Sequence, residues 1–169
     1  RTEQLRALVR FAVRAPSSHN SQPWRFRLAG DGLELRADQS RALPVVDPDG
    51  RELLISCGAA LEYLRIVANR FGQQDDVALF PDAGAPDLVA RFRLVGIRRV
   101  APTDEALFDA IPKRHTNRGR LEARPVAPAL LRQLAVEARH AGAWLATLDD
   151  PTGRDRLAEL VMEGDRIQM

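Results

Sequence analysis

Residues 51–71 carry the longest helical pattern in the chain, and the rest of the fold has to be arranged around it. Leu54, Cys57, Gly58, Leu61, Leu64, Ile66, Ala68 and Phe71 recur at helical spacing. Apolar residues at three- and four-residue steps mark the buried stripe of an α-helix. The middle of the segment, Cys57-Gly-Ala-Ala60, is small on every side. A glycine inside a helix costs about 1 kcal/mol relative to alanine, so Gly58 is expected where another backbone comes close. The pattern predicts a central helix buried in a core or an interface.

Shorter elements surround it. Residues 2–14 read as a helix with Leu5, Leu8, Val9 and Ala12 on one stripe, Thr2 as N-cap and Pro16 as the stop. Residues 24–28 and 33–37 alternate apolar with charged around Gly30-Asp31-Gly32, the pattern of a hairpin. Residues 76–80 and 88–97 are strand-like. In the second, Leu88, Ala90, Phe92 and Leu94 take one face, and Val89, Arg91, Arg93 and Val95 the other. A short helix over 103–110 has Thr103 as its expected cap and Asp104 and Glu105 in its first turn. A helix over 128–140 echoes the first one: setting Leu5-Arg6-Ala7-Leu8 on Leu131-Arg132-Gln133-Leu134 also brings Ala12 onto Ala138 and Ala15 onto Ala141. A strand is expected at 143–148 and a last helix from Pro151. This order is α+β rather than a regular βαβ alternation.

A chain of 169 residues suits one domain, or one domain and part of a second. It opens on Arg1 rather than methionine and is expected to be a piece of something longer, continuing past Met169. Net charge is +2, Lys113 is the only lysine, and aromatic residues are 5% of the chain. A nucleic-acid binder needs basic residues clustered on one face and interleaved with aromatics, so no nucleic-acid partner is expected. The single cysteine, Cys57, excludes an internal disulfide and a cysteine metal site. No signal peptide opens the chain, and no uncharged apolar run approaches the roughly 18 residues of a membrane span. A soluble, cytoplasmic protein with no membrane partner is expected.

The common phosphate-loop, dinucleotide-turn, zinc-helix and nucleophile-elbow motifs are all missing. The three histidines, His19, His115 and His140, are far apart and lack ligand spacing. No metal site is therefore expected, and no catalytic side chain is assigned. Two loops hold the remaining chemistry. Lys113-Arg-His-Thr-Asn-Arg118 offers two guanidinium groups and a hydroxyl, which suit a phosphate dianion because arginine donates in a fixed fork; it reads equally as a solvated charge run between domains. Residues 16–24 present Ser17, Ser18, Asn20 and Gln22. These are neutral groups that pair with the alternating edge of a flavin or nucleobase, or that cap their own turn.

At these two loops the chain resembles a known family. Pro16-Ser-Ser-His-Asn-Ser-Gln-Pro-Trp-Arg-Phe26 is similar to the P-S-S-x-N-S-Q-P-W-x-F segment of the FMN-dependent nitroreductases. His19 and the helix Arg51-Glu-Leu-Leu-Ile-Ser-Cys-Gly-Ala-Ala-Leu61 resemble its Acg-type subgroup. Lys113-Arg-His-Thr-Asn-Arg118 looks like the segment that grips the flavin phosphate in ordinary members, where it precedes the serine-asparagine segment instead of following it. The resemblance implies a nitroreductase-like α+β fold, a central antiparallel sheet flanked by helices, here incomplete. It also implies a fused pseudo-dimer, or a homodimer, with a first half over residues 1–111 and the start of a second half over 112–169. Further, it implies bound FMN, with the phosphate on Arg114, Thr116 and Arg118 and the ring or ribityl chain near Ser17, Ser18, Asn20 and Gln22. The implied function is hydride transfer from NAD(P)H through FMN to a nitroaromatic, quinone or similar small-molecule acceptor; the other implied role is sequestering FMN without turnover.

Overall fold

The period-two segments pair much as their patterns predict. In a computed structural model describing residues 1–122 and 124–168, β1 (Trp24–Ala29) and β2 (Gly32–Ala37) form an antiparallel hairpin. Gly30 and Asp31 close it, and Gly30 lies at φ +58°, a left-handed conformation that glycine adopts without a Cβ clash. β3 (Gln73–Leu79) and β4 (Leu88–Ile97) complete a four-stranded antiparallel sheet of order β1-β2-β4-β3.

β4 shows why one face is buried and the other wet. Leu88, Ala90, Phe92 and Leu94 are buried, while Arg91, Arg93 and Val95 are exposed. Val89 departs from the alternation and is buried. The register slips beside it: Leu35 pairs with Ala90 but Arg36 with Leu88, and a bulge of this kind re-aims the extra residue. β3 begins at Gln73, earlier than its apolar pattern indicates, because Gln73 pairs with Ile97 and Gln74 with Gly96.

The inner face is covered by α2 (Arg51–Arg70), against which α1 (Thr2–Ala12) and α3 (Pro102–Ala110) pack. Leu35, Leu64, Val67 and Phe92 lie fully buried in the shared core, with Leu5 and Leu8 of α1. Burying side chains of this size contributes about 1.5–3 kcal/mol each.

Helix ends differ in detail from their sequence signals. Arg1, not Thr2, stands at the N-cap of α1, which stops at Ala12. α3 starts at Pro102, and its first turn is closed not by Thr103 but by Asp104, whose carboxylate accepts from the Ala101 N–H at 2.7 Å. Proline at the first helical position has no N–H to satisfy, which moves the boundary one residue forward. Gly58 is exposed, and a Cβ built there meets nothing within 4 Å, so no close backbone accounts for it within this part of the chain.

Residues Arg1–His115 form one compact unit and Thr116–Met169 another. In the second, α4 (Pro128–His140) and α5 (Pro151–Gln168) are helical as expected. The expected strand at 143–148 is not formed. A strand exists through its ladder, and no described segment pairs with this one.

Candidate functional site

The loop between α1 and β1 holds three of the four non-glycine residues with positive φ among those described. Ser17 is extended, Ser18–Asn20 make a single 3-10 turn, and three side-chain-bearing residues have positive φ: His19 at 50°, Asn20 at 56° and Gln22 at 50°. Such conformations cost on the order of 1–3 kcal/mol each and persist only when the surroundings impose them. Here the surroundings are visible. The Asn20 N–H donates to Ser17 O at 3.0 Å, the Ser21 N–H to Ser18 O at 2.9 Å, and the Gln22 N–H to Ser17 Oγ at 3.0 Å. Pro23 and Trp24 are buried behind the loop, whereas His19 and Asn20 are exposed.

Three side chains outside the loop hold it, and the Asp38 N–H donates to Pro23 O at 2.9 Å. The Ser56 hydroxyl of α2 accepts from the Ser18 N–H at 3.2 Å, and the neighbouring Cys57 thiol donates to Pro23 O at 3.3 Å. Burial pushes the Cys57 pKa up to about 11. Arg41 donates to the carbonyls of Ser21 and Gln22 at 3.2 and 3.4 Å. Sequence reading missed all three, because each contact spans 19 residues or more and none lies in a motif with the loop. Among the described residues, none hydrogen-bonds the Ser18 hydroxyl or the side-chain amides of Asn20 and Gln22. The loop thus presents neutral donors and acceptors on a pre-shaped backbone. This set matches a flat heterocycle that alternates C=O and N–H, so the residues fit a flavin ring.

The cationic segment is different in character. Lys113 to Arg120 are all exposed. Arg114, in the first unit, is tied by its backbone N–H to Ala110 O at 2.9 Å. Thr116 and Arg118 belong to the second unit, where Asn117 Oδ1 accepts from the Gly119 N–H at 2.9 Å. Among the described residues neither Arg114 nor Arg118 is in an ion pair with a carboxylate. Their charge is therefore available to an anion, as a phosphate grip requires.

Arginines of the first unit's sheet are instead paired with carboxylates. On the outer sheet face Arg27 and Arg36 bond Glu34 at 2.7 and 3.0 Å, with Arg91 at 3.6 Å. Burial pushes the Glu34 carboxyl up, but Arg27 and Arg36 outweigh it and leave the pKa lowered. Arg36 also holds Asp87 at 2.8 Å, and Arg93 holds Asp76. The result is a charge-balanced solvent face. No group of histidine, cysteine and carboxylate side chains able to hold a metal occurs among the described residues.

No family model matches the chain. Individual relatives do. Over 181 residues, covering 97% of this chain and 52% of the relative, it is 35% identical to the Mycobacterium tuberculosis H37Rv protein named "Putative NAD(P)H nitroreductase Rv3131". The chain belongs to the nitroreductase superfamily. Two further relatives carry the same activity in their names. The M. tuberculosis protein named "Putative NAD(P)H nitroreductase acg" is 35% identical over 117 residues, 69% of this chain and 35% of that one. The protein of a Serratia strain named "Probable NAD(P)H nitroreductase PigM" is 38% identical over 72 residues, 41% of this chain and 20% of that one. This nitroreductase-superfamily chain spans about half the length of the first relative. Its α+β architecture, a four-stranded antiparallel sheet with helices, is consistent with the nitroreductase fold and incomplete. No described helix is long and apolar enough to cross a membrane.

Proposed function

We propose that this chain holds FMN as part of an NAD(P)H-dependent oxidoreductase of the nitroreductase type, acting on a nitroaromatic, quinone or similar acceptor. The observation that supports it best is the Ser17–Gln22 loop, with three left-handed non-glycine residues and uncharged polar groups held open. Bound FMN would supply the hydride chemistry. The protein's part is to bind and orient it. Ser18, Asn20 and Gln22 pair with the ring or ribityl chain, and Ser17 shapes the turn they stand on. Arg114, Thr116 and Arg118 take the phosphate, the arginines through bidentate donation. The need for both segments is consistent with a pseudo-dimer of halves at 1–111 and 112–169, one lending the neutral loop and the other the cationic one. The cytoplasm supplies NAD(P)H and suits a chain with one buried thiol.

The test is direct. Purified full-length protein is expected to be yellow, or to take up added FMN, with the absorbance of oxidised flavin; a colourless protein that ignores FMN overturns the reading. Under anaerobic conditions NAD(P)H bleaches the flavin if the protein is a reductase, and persistent colour identifies storage without turnover. Replacing Arg114 and Arg118 together by alanine is expected to weaken FMN binding far more than riboflavin binding. Equal losses for the two ligands remove the phosphate assignment.

A further inference from the structure

Ser56 and Cys57 are consecutive on α2, yet they reach opposite ends of the Ser17–Gln22 loop. Neighbouring helical residues point about 100° apart; Ser56 accordingly meets the Ser18 N–H and Cys57 meets the Pro23 carbonyl. We propose that this pair are positioning residues that fasten the strained loop to α2 at both ends, in the shape that receives FMN. The proposal rests on the flavin reading above.

The donor and acceptor roles are forced by the chemistry. A backbone N–H only donates, so Ser56 Oγ must accept from Ser18. Its own proton goes to Glu52 O, 2.8 Å away one turn earlier, which fixes the rotation of the hydroxyl. Pro23 has no N–H, so its carbonyl is the one backbone group it offers; that oxygen accepts from the Asp38 N–H at 2.9 Å and from the Cys57 thiol at 3.3 Å. Cys57 therefore has to donate, and a thiol pushed up to about 11 by burial keeps its proton at neutral pH. Ser56 is 3% exposed and Cys57 0%, which leaves little room for water to replace either bond. Both bonds go to backbone. They fix the loop's path while the side chains of Ser18, Asn20 and Gln22 stay available to a ligand. Without the fastening, His19, Asn20 and Gln22 would relax out of their left-handed conformations.

The test uses the full chain. In the FMN-free protein, Ser56→Ala is expected to speed amide exchange at Ser18 about tenfold or more, as loss of a buried hydrogen bond does. Exchange at Leu64 and Val67, farther along the same helix, should stay unchanged. The FMN Kd should rise by about tenfold, and Ser56→Thr, which keeps the hydroxyl, should restore both values. Cys57→Ser keeps a donor and should bind FMN better than Cys57→Ala. Equal acceleration at Ser18, Leu64 and Val67 would mean that Ser56 merely stabilises the fold, and would overturn the proposal. So would a freed Ser18 with unchanged FMN affinity. A wild-type chain that takes up no FMN, with Ser18 still protected through Ser56, would instead sink the flavin reading and leave the fastening in place.

Discussion

A Cβ at Gly32 would stand 2.5 Å from the Phe92 carbonyl oxygen and 2.8 Å from Arg93 Cγ, and one of those neighbours is backbone that cannot step aside. Gly32→Ala is therefore expected to destabilise by about 1–3 kcal/mol, the range for forcing atoms into a packed site, read as a lower thermal midpoint. Gly58 has the opposite surroundings, with nothing within 4 Å of an added Cβ. In the middle of α2, Gly58→Ala is expected to raise the midpoint, by up to about 1 kcal/mol of helix propensity; a lowered midpoint would show that another body occupies that face. Sequence alone ranks these two glycines the wrong way round. A glycine within a helix announces itself through its propensity cost, whereas Gly32 looks like ordinary turn punctuation until β4 is laid against it. Ser17, Asn20 and Gln22 stood out because so many neutral polar side chains are gathered between two prolines, more than capping one turn requires. Ser56 was not, since a serine on a helix becomes informative only when a partner 38 residues away arrives at its hydroxyl.

Elements are set by their ends as much as by their stripes. The stripe of α2 was readable at Cys57, Leu61, Leu64 and Ala68, but Leu54 and Phe71, which the pattern also put on it, are exposed, and Leu53 and Val67 are buried instead; its observed bounds, Arg51–Arg70, fall within one residue of the pattern. Its start is fixed by Asp47, whose carboxylate accepts from the N–H groups of Glu52 and Leu53 at 3.0 and 2.9 Å. Burial pushes this carboxyl up, and those N–H groups outweigh it. Asp47→Ala is expected to lower the thermal midpoint, and Asp47→Asn, which keeps one acceptor, to lower it less. The hairpin ends in an ion pair: Arg25 donates to both carboxylate oxygens of Asp38 at 2.8 and 2.7 Å. That arginine, helped by Ser40, lowers the Asp38 pKa from 3.8 to about 2. A carboxylate with a depressed folded pKa contributes stability that is complete above its unfolded value and disappears as pH falls toward the folded one. Acidification from about pH 5 to about pH 2.5 should thus cost the native chain more stability than it costs Asp38→Asn, measured by denaturant midpoints. If both lose equally, the pair is not a source of stability. The segment at 143–148 marks where element reading stops: Ala143-Trp-Leu-Ala-Thr-Leu148 is a short, mostly apolar run of strand length, but a ladder needs a second strand, and one segment carries no information about it.

The two units of the molecule differ in how much they bury. Every buried residue among those described lies between Leu5 and Ile111, all within the first unit. In the second, Leu134, Leu157 and Val161 are 46%, 48% and 56% exposed, so α4 and α5 have little apolar burial of their own, and short helices without it are marginal in water. Local stability follows burial and contact density. Amides of α2 and β4 are therefore expected to resist exchange long after those of α4 and α5 have exchanged, as followed by mass spectrometry. Removing residues 116–169 should leave a fragment that still melts cooperatively, with its midpoint displaced by no more than about 4 °C, because the core from Leu5 to Ile111 is intact. Loss of the cooperative transition would show that the second unit completes that core. Ligand binding should respond in the reverse sense: without Thr116 and Arg118 the fragment, which keeps Arg114 alone of the three, is expected to prefer FMN over riboflavin much less than the whole chain does, since the phosphate would have lost most of its grip while the neutral loop remained. A fragment that still favours FMN as strongly as the whole chain would place the phosphate site wholly in the first unit, on Arg114 or on Arg41, which is bonded to the loop carbonyls of Ser21 and Gln22.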